Sequence, residues 1–142
     1  MLMVAVVPVA PAFLFQGCSP PKRDLDESGV LSLTSRQEIM WFQATVADQG
    51  FAIAKRKETT PDRLTETDLA LFADMGRRIP WGAKRLKETA FSKGPEFDRF
   101  AADLEARAAD LADASRAKDG TKCIAAALSM KGVCAGCHKK FR

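Results

Sequence analysis

The chain has 142 residues, 46% of them hydrophobic, enough for one domain with a buried core and an argument against two. Its formal charge of +4 comes from 22 basic and 18 acidic side chains, and no segment has the basic patch of a nucleic-acid-binding surface, so nucleic acid is not an expected partner. Tyrosine is absent, β-branched runs are scarce, and Ala, Leu, Lys, Arg, Glu and Asp dominate from Ser35 onward, which predicts an all-α fold.

Residues 1–18 read as a leader. Met1 to Phe15 carry no charge and include Val4-Ala5-Val6-Val7 and Phe13-Leu14-Phe15, an apolar run too short to span a membrane and interrupted by Pro8 and Pro11. No basic residue precedes the run, a departure from the usual export signal. Leu14-Phe15-Gln16-Gly17-Cys18 resembles a bacterial lipobox, implying cleavage before Cys18 and a lipid on its sulfur; an ordinary cleavage site is the alternative. Export to the periplasm, with membrane anchoring through Cys18, is the expected localisation. Residues 19–31, with two prolines and five charges by Gly29, read as a solvated tether, and residues 32–142 as the folded domain.

The first long helix is expected from Ser35, where Ser35-Arg36-Gln37-Glu38 fits a capping box. Met40, Ala44, Ala47, Phe51 and Ala54 form one apolar stripe and Ile39, Val46 and Ile53 a second, so a wide arc is buried, with small residues beside Met40 that would leave room for a flat cofactor. Thr60-Pro61-Asp62 predicts the start of the second helix, with Leu64, Leu69, Leu71, Phe72, Met75 and Ile79 in its core. Pro80 is expected to end it, leaving Trp81 in a basic connection that runs to Gly94. The third helix is expected from Pro95, with Phe97, Phe100, Ala101, Leu104, Ala108, Leu111 and Ser115 on one face and Asp119-Gly120 closing it. The fourth is expected from Thr121 or Lys122 to the end, with Cys123, Ala127, Met130, Cys134, Cys137, His138 and Phe141 on one stripe. Cys123 then reads as a buried free thiol; a disulfide to Cys18 has no support from spacing.

The last helix carries the chemistry. Cys134-Ala135-Gly136-Cys137-His138 is the pattern for covalent haem attachment, in which two thiols become thioethers and the adjacent imidazole takes an axial position on iron. On a helix, positions 134, 137, 138 and 141 fall at i, i+3, i+4 and i+7, so one face holds both thiols, the imidazole and an aromatic ring. A structural zinc site would need a second Cys/His cluster, which the sequence lacks, and a dithiol redox motif should open a helix within a βαβ pattern.

Four helices with this motif on the last resemble the class II cytochromes c, the cytochrome c′ family. The matching pieces are Gly132-x-Cys134-x-x-Cys137-His138-x-x-Phe141-Arg142, Arg36-Gln37 followed by Met40, and Pro80-Trp81, over roughly Ser32 to Arg142. The resemblance implies an antiparallel four-helix bundle with one covalent haem c on the C-terminal helix, and often a homodimer formed through the first two helices. It implies His138 as the proximal ligand, Phe141 and Arg142 lining the proximal side, Arg36 near a propionate and Met40 over the distal face. Lys140 is expected to be a plain exposed lysine.

One histidine in the chain excludes bis-histidine ligation within a monomer. Met130 shares a helix with His138, Met75 reads as core, and Met1 and Met3 fall in the leader, so Met40 is the candidate sixth ligand. If its thioether ligates, the resemblance implies an electron carrier working with redox partner proteins. If it packs as a lid, the implied protein is a five-coordinate binder of small gases such as nitric oxide or carbon monoxide. A haem-free structural or metal-binding bundle lipoprotein is the third alternative. With no second histidine as acid or base and no carboxylate pair spaced toward the haem end, enzymatic catalysis is not expected.

Overall fold

The capping box at Ser35 forms as its residues predict. Ser35 Oγ accepts from the Glu38 amide at 3.2 Å, while Glu38 accepts from the Ser35 amide at 2.9 Å, and the helix runs Arg36–Arg56. The computed structural model describes residues 25–142. The leader, the lipobox Cys18 and the tether up to residue 24 lie outside the described residues.

In chain order the helices are α1 (Glu27–Leu31), α2 (Arg36–Arg56), α3 (Glu66–Leu86), α4 (Pro95–Arg116) and α5 (Gly120–Phe141), with a 3-10 turn at Pro61–Arg63. The described residues contain no strand, and none of their helices is long and apolar enough to cross a membrane. α2 packs on α3 and α5, and α4 packs on the same two, so the long helices close a four-membered ring, with α1 lying on α3. At 21 or 22 residues each, the four long helices are about 32 Å long at 1.5 Å per residue.

Two apolar clusters fill the ring. The larger includes Val30, Phe42, Phe72, Met75, Ile79, Leu111, Cys123 and Met130. The smaller gathers Ile39, Leu86, Phe91, Phe97, Ala101 and Cys137, with Met40, Phe100 and Phe141 packed against it. The expected core of α4 is buried except Phe100, which is half-buried, and Cys123 is fully buried beside Ser115. On α2 the Ile39–Val46–Ile53 stripe is the buried one. Ala47 and Ala54 share that burial, but Ala44 is exposed and Met40 and Phe51 are half-buried, because Phe42 and Gln43 turn the inward face by part of a turn.

Several expected boundaries move. Thr60-Pro61-Asp62 starts only the 3-10 turn; α3 begins at Glu66 behind a second capping box, in which Thr65 and Asp68 exchange hydrogen bonds. Pro80 lies inside α3 and Trp81 is helical. An interior proline removes a hydrogen bond and costs about 3 kcal/mol. Offsetting this, the turns beyond it bury Gly82, Ala83 and Leu86, and Arg85 donates to the Leu33 carbonyl at 3.0 Å while its guanidinium covers the Phe91 ring at 4.6 Å. Asp119-Gly120 does not close α4 either. The chain turns at Lys118, whose φ is 54°, with Lys118 N bonded to Ser115 O and Asp119 N to Ala114 O, which satisfies the last carbonyls. Asp119 caps α5 instead, and Gly120 opens it because a Cβ there would stand 2.4 Å from the Pro61 carbonyl oxygen.

The tether expectation also changes. Among residues 25–31, Val30 is fully buried, Asp26 caps α1, and Arg78 donates to the Leu25 carbonyl at 3.2 Å. This segment is part of the packed domain.

Candidate functional site

The end of α5 enters the smaller cluster. Cys137 is buried, Cys134 half-buried and His138 exposed, the order that helix periodicity gives to a face rotating from core to solvent. Phe141 anchors the turn edge-on against Phe97 (centroids 5.4 Å apart) and Phe100 (6.2 Å). Lys93 Nζ donates to the Phe141 carbonyl at 2.5 Å, and Lys140 pairs with Glu96, so the loop before α4 and its first turn hold the C-terminal end.

Two cavities flank this face. One, of about 430 Å³, is lined by Arg36, Met40, Trp41, Lys93, Phe97, Cys137, His138 and Arg142 among others. The other, narrower, of about 30 Å³, is lined by Met40, Gln43, Leu86, Phe100, Leu104, Cys134, Cys137 and His138 among others. Met40, Phe97, Cys137 and His138 line both. The structure thus brings together every site residue expected from the sequence: Cys134, Cys137, His138, Phe141 and Arg142 from α5 and its end, Arg36 and Met40 from α2.

The electrostatics separate outside from inside. Arg36, Lys93 and Arg142 line the larger cavity, and Arg36 is fixed by a 2.8 Å bond from Nε to the Phe91 carbonyl and by the Phe97 ring 5.9 Å beneath its guanidinium. The inner cavity is largely apolar; besides the two thiols and His138 its polar side chain is Gln43, which is 6% exposed and whose Nε2 has no hydrogen-bond partner. Burial, reinforced by the neighbouring Cys137, pushes the Cys134 thiol up to about 11; burial also raises Cys137, which Lys93 partly opposes. A redox-active dithiol needs the reverse, a lowered thiol at a helix start. Nor do the two thiols and the imidazole converge on a point: among the described residues no group of three or more His, Cys, Asp or Glu side chains is placed to hold a metal ion.

Sequence reasoning missed Gln43, Lys93, Phe97 and Phe100 as site residues. The phenylalanines were expected as α4 core, and Lys93 as part of a solvated connection. Gln43 gave one signal, its position seven residues after Arg36 and three after Met40, which puts it on their side of α2.

Two thiols and an imidazole set along one helix face, two adjoining cavities between that face and a methionine on the first long helix, and a cationic rim suit a flat macrocycle that carries acidic groups at one edge. Together with the ring of helices they define a helical-bundle haem protein. The model of the cytochrome c′ family matches residues 34–142, and the chain belongs to that family. No curated protein and no solved structure matches the chain significantly. Membership implies a haem cofactor.

Proposed function

We propose that the protein is an exported c-type cytochrome that carries single electrons on one covalently bound haem. The observation that carries this reading is that His138 from α5 and Met40 from α2 line the same two cavities, with both thiols of the attachment motif beside them. The bound haem would supply a one-electron change at iron. Cys134 and Cys137 would hold it as thioethers, His138 would be its proximal ligand, and Met40 the sixth. Arg36 and Arg142, with Lys93 beside them, would face the propionates, where a guanidinium fork suits a carboxylate in charge and shape. Leu86, Phe97 and Leu104 would keep water from the inner face. Redox proteins are the partners of this reading. A homodimer through α2 and α3 belongs to it as well, supported by Trp41, a large apolar side chain left 40% exposed on α2. Export and lipid on Cys18 rest on residues 1–18 and are tested by the mass of the mature N-terminus.

A second reading, a five-coordinate haem that binds nitric oxide or carbon monoxide, is favoured by one observation. Met40 is half-buried with space on both sides, and such a side chain can pack as a lid without ligating.

Production alongside a c-type maturation system, then haem staining of a denaturing gel, tests covalent attachment. Staining should disappear when Cys134 and Cys137 are both changed to Ser; absence of stain in the unaltered protein would return it to a haem-free bundle. Optical and EPR spectra then divide the two haem readings. A low-spin ferric spectrum with a methionine–iron charge-transfer band is expected, and a high-spin spectrum would select the gas-binding protein.

A further inference from the structure

Among the described residues that line the inner cavity, Gln43 is the one with a buried side-chain polar atom, Nε2, that has no hydrogen-bond partner. An amide donor without a partner in an apolar setting is destabilising, and Met would fill nearly the same volume without that penalty. The fold makes room for the amide: a Cβ at Gly82 would stand 2.7 Å from Gln43 Nε2 and 2.8 Å from its Cγ, so α3 presents bare backbone where the amide lies. Neither the Met40 sulfur nor any other acceptor takes its hydrogens in the structure. Around it stand Met40, Leu86, Leu104, Val133 and Cys134, which offer a small ligand dispersion contacts but no side-chain N–H or O–H; His138, the other N–H-bearing side chain of the cavity, is the one the proposed function assigns to iron.

We propose that Gln43 is the specificity-determining residue of the distal pocket: its side-chain amide donates a hydrogen bond to a small anionic or strongly polar ligand occupying the space that Met40 guards, favouring such ligands over apolar ones. This rests on the haem placement proposed above and concerns the pocket when Met40 is displaced. The donor adds nothing to the binding of an apolar ligand and a full charge-assisted hydrogen bond to that of an anion. Gln43 is thus a selectivity element built into the same helix as the candidate ligand.

The test uses haem-loaded protein carrying Met40→Ala, which opens the pocket whether or not Met40 ligates. Fluoride is titrated into the ferric form and carbon monoxide into the ferrous form, each followed optically, with Gln43 intact and with Gln43→Met. Loss of one hydrogen bond should weaken fluoride binding about tenfold and leave carbon monoxide binding within about twofold. Gln43→Leu, a different shape without a donor, should change the ratio of the two affinities in the same direction. Equal losses for both ligands, or none for either, would mean that Gln43 only fills space and would overturn the proposal. Absence of covalent haem in the protein with Gln43 intact would instead overturn the haem placement beneath it, so the two failures are distinguishable.

Discussion

Met40 is the residue on which the chemistry turns. Its thioether is soft and polarizable, and it lines both cavities with His138. Met40→Ala should convert a low-spin protein to high spin and admit carbon monoxide to the ferrous form; an unchanged spectrum would rule the thioether out as a ligand. At this scale the sequence was informative where chemistry demands a rigid spacing. The grouping of Cys134, Cys137 and His138 beside one cavity is legible because the i, i+3, i+4 interval sets all three along one helix face. Gln43 was not, since a glutamine on an amphipathic helix ordinarily faces water, and its burial depends on the absent side chain at Gly82, 39 positions away.

Among the elements, α3 departs furthest from local expectation. Pro80 should have ended it, and the helix continues because the following turns close the site end of the bundle. Leu86→Ala tests this. If the last turn of α3 is core, truncation of a side chain 3% exposed should cost about 2–4 kcal/mol in a denaturant midpoint analysis, whereas a leucine in a solvated connection would cost under about 0.5 kcal/mol. The starts of α2 and α4 were readable because both signals are local: Ser35 bonds Glu38 three residues on, and Pro95 presets its own φ at the first helical position. The start of α3 was misplaced by local rivalry: Thr60-Pro61 and Thr65-x-x-Asp68 are both competent signals, and the second wins since Asp68 also reaches Lys57 at the end of α2, 2.8 Å from Nζ to Oδ2.

For the whole molecule, that same pair links stability to acidity. Burial tends to raise Asp68, but hydrogen bonds from Lys57 and from the Thr65 amide and hydroxyl outweigh it and hold the carboxyl below its usual 3.8. A lowered folded-state value means that the contribution is fully present above the unfolded value and disappears as pH falls through the folded one. Asp68→Asn should therefore cost about 2 kcal/mol at pH 7, and the difference from the parent should shrink as pH falls below the usual carboxylate value, so the acid limb of the stability–pH curve should be shallower than in the parent. A second prediction concerns the N-terminal border. Removing residues up to Leu31 should lower stability by about 2 kcal/mol, because it takes Val30 out of the core; a tether would be removable without effect. The all-helical architecture was legible from composition and periodicity, but the packing of residues 25–31 was not, because five charges and two prolines around one short apolar stretch resemble a linker until α3 is there to receive it.

The division of the interior into two apolar clusters gives the bundle two grades of permanence. Both clusters draw on all four long helices, but among the described residues the larger, around Met75, Leu111 and Met130, has nineteen buried side chains and the smaller, with Leu86, Phe97 and Cys137 at the site end, has six. Opening of that end alone breaks fewer contacts than global unfolding, so native-state hydrogen exchange should be faster for amides from Cys134 onward than for those around Met130. On the covalent attachment proposed above, fraying of this kind would bring Cys134 and Cys137 within reach of an external attachment apparatus while the rest of the bundle stays closed. The end of the molecule where the cofactor belongs would then double as its loading door.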